Sequence, residues 1–213
     1  MGKIYDSLLA GSSGRTGRIV VANVSGNEIS RIRPKKRTKA PSENQLMVQK
    51  RMKNAIEFMA SYRAYACKHF GHRVGMRSSY NQAFTNVTTN MVIDFTAKTI
   101  TPNYPNIVFS KGALLGVLPT SMTLSSPDVI ELNWQNNANS NVERETDMLQ
   151  ILIAIEGELT TYFMENVSSR VEESYNINLT NFQLGKEIHI WLAFRTSTKD
   201  QVSNSVYLGS ITT

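Results

Sequence analysis

The chain has 213 residues, of which 41% are hydrophobic, a single cysteine and a formal net charge of +6. This length allows one large domain or two small ones with cores of their own, and a single cysteine excludes an internal disulfide framework. No stretch approaches the ~20 apolar residues of a membrane-spanning helix, and the first apolar run, at residues 8–10, is too short for a signal peptide. We therefore expect a protein that is cytoplasmic or part of a soluble assembly.

The charge is distributed unevenly along the chain. Residues 1–118 contain 18 lysines and arginines against 5 acidic residues, whereas residues 119–213 contain 5 against 12. This asymmetry predicts a basic N-terminal domain over residues 1–118 and an acidic C-terminal domain over residues 119–213. Such a distribution is typical of chains that bind polyanions or associate through opposite charges.

The first 30 residues combine closely spaced glycines with a β-branched run at 19–21 and a turn at 25–27. This pattern predicts a glycine-rich β-hairpin. The glycines do not match a phosphate-binding Walker loop, because their spacing differs by one residue and a strand follows them in place of a helix. Arg15 and Arg18 stand beside these glycines and are candidates for contact with an anionic backbone.

Residues 31–39 are the densest cationic stretch, with six cations in nine residues. Pro34 and Pro41 favour an extended backbone, so the stretch is predicted to be an extended basic arm. Its partner would be an anion, either nucleic-acid phosphates or an acidic protein surface, and the alternative is a solvated linker. The candidate binding residues of the arm are Arg31, Arg33, Lys35, Lys36, Arg37 and Lys39.

A long helix is predicted over residues 42–70, because Ser42 and Gln45 match a capping box and apolar residues then recur at helical spacing. Lys50 and Lys53 lie on the opposite face of this helix and extend the candidate cationic surface. The apolar stripe that we expect in the core consists of Val48, Met52, Ala55, Ile56, Met59, Tyr62 and Ala66.

A second helix is predicted over about residues 78–92, followed by a turn-rich passage with a short strand at 107–109. Cys67, His69 and His72 are metal-ligand side chains that stand close together in the sequence. Their spacing lacks the paired ligands of a structural zinc site. We therefore predict no metal, no cofactor and no catalytic group.

Residues 119–213 consist of short apolar segments separated by turn residues, which predicts an all-β sandwich. The absence of cysteines there favours a fibronectin-like sandwich over an antibody-like one, with Trp134 and Trp191 in its core. The whole chain is then an α+β protein, with a β-hairpin and helical basic domain followed by a fibronectin/Ig-like sandwich. The predicted strands cover residues 122–124, 129–134, 148–155, 159–164, 175–179, 188–194 and 202–211.

Acidic residues of the predicted sandwich fall in two groups between strands. Loop positions of this kind are exposed, so the groups are predicted to form an acidic rim that is solvated or faces a partner. The candidate residues of this acidic partner face are Glu143, Glu145, Asp147, Glu172 and Glu173.

Several motifs recur in a fixed order along the chain, together with Gln45 and Arg51. They are MGKIY at 1–5, SGRTG at 13–17, RPKK at 33–36, SKG at 110–112 and SNSVYLG at 203–209. In this order and spacing the chain resembles an uncharacterised family of similar length from Bacteroidota bacteria. The resemblance spans the whole chain and implies no catalytic residue, since the role of that family is unknown.

Three classes of function remain. We expect a non-catalytic structural protein that associates head to tail with its own copies, through the basic N-terminal and acidic C-terminal domains, as a filament, shell or virion-type subunit. The alternative is a nucleic-acid-binding protein that contacts phosphates without sequence preference through the basic arm. An enzyme of unknown type is the third class, for which the sequence offers no triad, metal set or small-molecule site.

Overall fold

The computed structural model divides the chain into two compact units. The first unit is Met1–Ser42 with Val74–Met76, and the second is Glu43–Arg73 with Arg77–Thr213. Helices and strands are both present, so the fold is α+β as predicted. The residues that the structure describes are 2–5, 9–24, 26–36, 38–139, 141–179, 184–198 and 200–213.

The first unit is an antiparallel sheet of four strands, β1 Gly2–Lys3, β2 Gly14–Thr16, β3 Ile19–Val24 and β4 Asn27–Ile32. Their order in the sheet is β1-β4-β3-β2. Its β2–β3 turn consists of Gly17 and Arg18, and Gly17 has a φ of +56°, which glycine adopts without steric cost. The predicted extended arm begins later than expected, because residues 31 and 32 belong to β4.

The second unit contains the helices. The prediction of one continuous helix over residues 42–70 is wrong, because two separate helices cover this range. It is interrupted after Phe58, because the Phe58 carbonyl accepts a hydrogen bond from the Thr161 hydroxyl at 2.8 Å. The second predicted helix is confirmed, and Ser78 caps it by accepting the Asn81 N–H at 3.2 Å. The helices are α1 Glu43–Phe58, α2 Arg63–His69, α3 Ser79–Asn90 and α4 Val142–Glu145.

The apolar stripe predicted for the long helix is buried only in its second half. Burial in α1 begins at Asn54, and the stripe residues from Ala55 onward are buried, except for Ile56. Val48 and Met52 are exposed. Helical spacing alone therefore identified the apolar face but not the length of helix that is covered.

The strands predicted between residues 119 and 213 are all present, and two of them have the predicted bounds. A hairpin of β5 Met91–Asp94 and β6 Thr99–Pro102 was not predicted. The strand predicted at 107–109 is wrong, because a 3-10 helix at Tyr104–Asn106 precedes residues without regular structure. A second 3-10 helix covers Arg170–Glu172. The strands are β5 Met91–Asp94, β6 Thr99–Pro102, β7 Pro119–Ser126, β8 Val129–Trp134, β9 Met148–Ile155, β10 Thr161–Met164, β11 Ser174–Asn178, β12 Glu187–Arg195 and β13 Val206–Thr212.

Two antiparallel sheets form the β part of the second unit, one with the order β10-β9-β12-β13 and one with the order β11-β8-β7. The four-stranded sheet is the middle layer. One face packs Leu152 and Trp191 against the helices, with the Phe58 and Trp191 rings 6.4 Å apart. The other face packs Ile151 and Ile190 against the three-stranded sheet.

The predicted domain boundary between residues 118 and 119 does not coincide with the division of the structure, which falls between residues 42 and 43. The helices share a hydrophobic core with β9 and β12, so they belong to the same unit as the sheets. The nearly continuous apolar runs at 149–155 and 188–194 are the sequence signal of a sheet that is covered on both faces.

Candidate functional site

The structural division changes where the positive charge lies. Residues 1–42 contain nine lysines and arginines and two acidic residues, whereas residues 43–213 contain 14 cations and 15 acidic residues. The excess positive charge therefore belongs to the first unit, and the second unit is close to neutral. The acidic character of residues 119–213 is offset by the cations of the helical part.

Strand register places cations on one face of the first sheet. Arg15 pairs with Val20 and Val20 pairs with Arg31, so both arginines flank Val20 on the same face. Lys3 pairs with Ile29, which is two residues from Arg31 and therefore on that face as well. All three cationic side chains are exposed. Lys3 could not be recognised from the sequence, because the strand that carries it, β1, has two residues and is too short to predict.

Four more cations line a groove beside the β2–β3 turn. The Arg33 N–H donates to the Arg18 carbonyl at 2.8 Å, so the chain after β4 stays next to this turn. The groove has a volume of about 630 Å³, and none of its lining residues is acidic; they are Gly17, Arg18, Ile32, Arg33, Pro34, Lys35 and Lys36. We define the cationic surface as Lys3, Arg15, Arg18, Arg31, Arg33, Lys35 and Lys36.

The remaining predicted cations do not belong to this surface. Arg37 lies outside the described residues, and Lys39 is exposed in a segment without regular secondary structure. Lys50 and Lys53 are exposed on α1 in the second unit. The Lys53 ammonium lies 3.7 Å from the Glu57 carboxylate, one helical turn later, so its charge is partly balanced.

The first unit has almost no hydrophobic core. Among its described residues, Val21 is the buried hydrophobic side chain. Ile19 and Ile32, which are paired across β3 and β4, are 41% and 78% exposed. A sheet of four short strands with so little buried apolar area gains little stability from folding alone.

One end of the second unit is organised by Arg170, whose side chain is fully buried. Its Nε donates to the carbonyl of Arg144 in α4 at 3.2 Å. Its Nη2 donates to the Leu115 carbonyl and to Asp147 Oδ2, both at 2.9 Å. Since Arg170 is the first residue of the second 3-10 helix, these bonds hold that helix against α4.

The assignment of Asp147 to the acidic partner face is wrong. Its side chain is buried and pairs with the guanidinium of Arg170. Burial raises the pKa of this carboxyl, and the hydrogen bond and charge of Arg170 oppose the change. A buried and paired carboxylate holds the loops together and is not available to a partner.

The other four candidate acids remain at the surface around the buried pair. Glu172 accepts hydrogen bonds from the Ser168 hydroxyl and from the Ser169 N–H, and these bonds lower its pKa. Glu173 accepts the Asn136 N–H at 2.7 Å. The four acids lie in α4 or in and next to the second 3-10 helix, and they are Glu143, Glu145, Glu172 and Glu173.

Two valines stand among these acids with most of their surface in solvent. Val142 is 72% exposed at the start of α4, and Val171 is 52% exposed in the second 3-10 helix. Arg170 therefore brings two acidic groups and two apolar side chains to one end of the unit. We define the acidic end as Val142, Glu143, Glu145, Val171, Glu172 and Glu173.

A cavity of about 450 Å³ lies elsewhere in the second unit, where α2 ends. Its lining residues include Lys68, His69, His72 and Lys111. Burial lowers the pKa of His69, which lies 3.5 Å from the Asp200 carboxylate. The sequence placed His69 and His72 close together, but it did not show that residues from three distant segments line one cavity.

Metal-binding clusters and membrane-spanning helices are both absent from the residues that the structure describes. Within that part of the chain, no three histidine, cysteine, aspartate or glutamate side chains are grouped so as to hold a metal ion. No helix in it combines the length and apolar character required to cross a bilayer.

Comparison with known proteins identifies the family to which the chain belongs. No curated protein sequence matches the chain. Among solved structures, the fn3 domain of the human collagen alpha-1(XX) chain matches with a TM-score of 0.33 and 10% identity, over 49% of this chain and 84% of that one. A family model described as "Family of unknown function (DUF6266)" matches residues 11–209. The chain therefore belongs to this family of unknown function.

Proposed function

We propose that the protein is a non-catalytic assembly subunit, in which the cationic surface of one copy binds the acidic end of the next. The observation that supports the proposal is the presence of two surfaces of opposite charge on separate units of the same chain. One surface has seven cations and the other has four exposed or half-buried acids around a buried ion pair. A contact between different surfaces of identical copies is heterologous and builds rings or filaments.

Apolar side chains support the same pairing. Ile32 is exposed and lines the groove of the first unit together with its four cations, and the acidic end exposes Val142 and Val171. Apolar contacts inside a charged rim are the usual composition of a protein interface. A partner would therefore cover apolar surface and neutralise charge in one contact.

We further propose that the two sheets form a fibronectin type III-like sandwich. Counted from β7, one sheet contains the fifth, second and first strands, and the other contains the fourth, third, sixth and seventh. This arrangement supports the assignment, because fibronectin type III domains share the architecture of two packed antiparallel sheets. Cys67 lies on α2, outside both sheets. A crystal or NMR structure with another strand order would refute this assignment.

Charge reversal on each surface separately tests the assembly. The first variant is Arg31→Glu with Arg33→Glu, and the second is Glu143→Lys with Glu145→Lys. Size-exclusion chromatography with light scattering should show oligomers for the unchanged protein at low salt, and monomers of 23.9 kDa for each variant alone. Oligomers should also shrink as salt rises, because exposed charges are screened beyond about 8 Å at physiological ionic strength.

Mixing the two variants provides the decisive measurement. The first variant keeps an intact acidic end and the second keeps an intact cationic surface, so an equimolar mixture should form a one-to-one dimer through these two surfaces. A symmetric contact between identical surfaces would give no such dimer. Lys50→Glu with Lys53→Glu is the matched control, because it reverses two cations on α1 and should leave oligomerisation unchanged.

The nucleic-acid alternative gives a different result in the same experiment. Purified protein would then carry bound nucleic acid with a raised 260/280 nm absorbance ratio, and only the Arg31→Glu, Arg33→Glu variant would lose it. A monomer free of nucleic acid at low salt would contradict both the assembly and the nucleic-acid proposals.

A further inference from the structure

The cavity at the end of α2 is built from three segments that are far apart in the sequence. Residues 68–72 contain the last two residues of α2 and the three that follow it. Residues 111–113 precede β7, and residues 200–204 lie between β12 and β13. The second and third segments overlap the SKG and SNSVYLG motifs. These motifs, which are about 90 residues apart in the chain, meet at one site.

The cations that line the cavity are not balanced by carboxylates. In the described part of the chain, neither Lys68 nor Lys111 has an acidic side chain within ion-pairing distance. Asp200 is the acid that lines the cavity, and its Oδ1 is bound by the Arg195 guanidinium at 2.7 and 3.0 Å. The carboxylate of Asp200 is therefore paired with Arg195 and not with Lys68 or Lys111, and the side chains that line the cavity carry a net positive charge.

Two imidazoles add hydrogen-bonding groups to the ammonium groups. His72 is exposed, whereas His69 is 5% exposed and its ring packs on the Tyr65 ring with centroids 4.4 Å apart. Burial is the main cause of the lowered pKa of His69, which keeps this ring neutral at pH 7. It therefore offers a fixed polar group and no additional charge.

Hydrogen bonds donated by backbone N–H groups connect the walls of the cavity. The Lys111 N–H donates to the His69 carbonyl at 3.0 Å, and the Gly112 N–H donates to Asn204 Oδ1 at 3.1 Å. A Cβ on Gly112 would lie 2.1 Å from the Val202 carbonyl oxygen, so this close approach requires glycine. A site with walls held in this way loses little entropy when it binds a ligand.

We propose that this cavity binds a small phosphate-bearing molecule. Two unpaired ammonium groups and an exposed imidazole match a multiply charged oxyanion, which gains from each charged hydrogen bond. The volume of about 450 Å³ is within the range of small-molecule sites, so it accommodates a phosphate group together with part of the molecule that carries it. This inference is independent of the proposed assembly, because no residue of the cationic surface or the acidic end lines the cavity.

Titration of the full-length protein with simple anions tests the proposal. The probes are inorganic phosphate, pyrophosphate and citrate, each at constant ionic strength set with sodium chloride. Two-dimensional 1H–15N NMR should show shifts at Gly71, Gly112 and Asn204, and pyrophosphate should bind more tightly than citrate. No binding at millimolar concentrations, or tighter binding of citrate, would overturn the phosphate assignment.

Variants locate the binding. Lys68→Gln and Lys111→Gln should each weaken pyrophosphate binding by roughly tenfold or more, because each removes one charged hydrogen bond. Lys50→Gln is the matched control, since Lys50 is an exposed lysine of the same unit that does not line the cavity. An equal loss in Lys50→Gln, or no loss in the two cavity variants with unchanged thermal stability, would refute the site.

Discussion

Replacement of Arg170 by methionine is the most direct test of how the acidic end is built. Methionine keeps an apolar stem against the Phe194 ring, over which the guanidinium carbon now lies at 3.9 Å. The variant therefore removes the charge and its hydrogen bonds while most of the packing remains. It leaves the buried carboxylate of Asp147 and the carbonyls of Leu115 and Arg144 without their donor.

The expected loss in the free energy of unfolding is about 3–5 kcal/mol, the range observed when one member of a buried ion pair is removed. Several unpaired acceptors at about 1–3 kcal/mol each would give a larger sum, but protonation of Asp147 and entry of water relieve part of it. Urea unfolding followed by circular dichroism measures this loss. Arg144→Met, which removes an exposed arginine from the same end, is the matched control and should change stability by less than about 1 kcal/mol.

Removal of both charges should be less harmful than removal of one. The double variant Arg170→Met with Asp147→Leu leaves no buried ion, so it should recover much of the stability lost by Arg170→Met. A double variant less stable than Arg170→Met would refute the explanation by an uncompensated charge. A loss below about 1 kcal/mol in Arg170→Met would refute the structural role itself.

The stability of Arg170→Met should also depend on pH in a defined direction. Burial already raises the pKa of Asp147 in the unchanged protein, and loss of the guanidinium raises it further. A folded-state pKa above the unfolded value means that the folded protein takes up the proton first, so the deficit is largest at neutral pH and shrinks as the pH falls through the folded pKa. Unfolding curves at pH 7.5 and pH 5 that show the same deficit would contradict this explanation.

Three further outcomes follow from single contacts. Gly112→Ala should lower the free energy of unfolding by about 1–3 kcal/mol through the clash with the Val202 carbonyl, and a neutral effect in urea unfolding would show that the loop can move away. Tyr207→Phe should cost about 0.5–1.5 kcal/mol, because the hydroxyl lies 2.8 Å from His189 Nδ1, and an unchanged melting temperature would contradict that bond. Hydrogen bonds lower the pKa of Glu172. Its ionised carboxylate therefore stabilises the fold above the ordinary carboxyl pKa, and this stabilisation is lost as the pH falls through the lower folded pKa. Glu172→Gln should be less stable than the unchanged protein at pH 7 and equally stable at pH 2 in urea unfolding.

The strands between residues 119 and 213 could be predicted from the sequence because their turns are marked by glycine, proline and asparagine. β8 and β9 have the predicted bounds for this reason. The interruption after α1 could not be predicted, since the hydroxyl that causes it belongs to Thr161, about a hundred residues later. The local pattern around residue 58 remains helical and shows no break.

Surface residues were predicted less reliably than strands. Asp147 stands in a turn next to three other charged residues, and only its distant partner Arg170 reveals that the side chain points inward. Lys3 reaches the cationic surface through a two-residue strand that is too short to recognise. Which charges share a face depends on strand register, and register depends on contacts that a single sequence does not contain.

The four-stranded sheet that is covered on both faces has a consequence for how the protein unfolds. Alternate residues of β12 pack into two hydrophobic cores. Trp191 becomes exposed when the helices separate from the sheet, and Ile190 becomes exposed when the three-stranded sheet separates from it. We therefore expect the helices and the three-stranded sheet to melt in one cooperative transition. A fragment that starts at residue 119 would leave one face of this sheet bare and prone to aggregation, whereas a fragment that starts at residue 43 keeps both coverings.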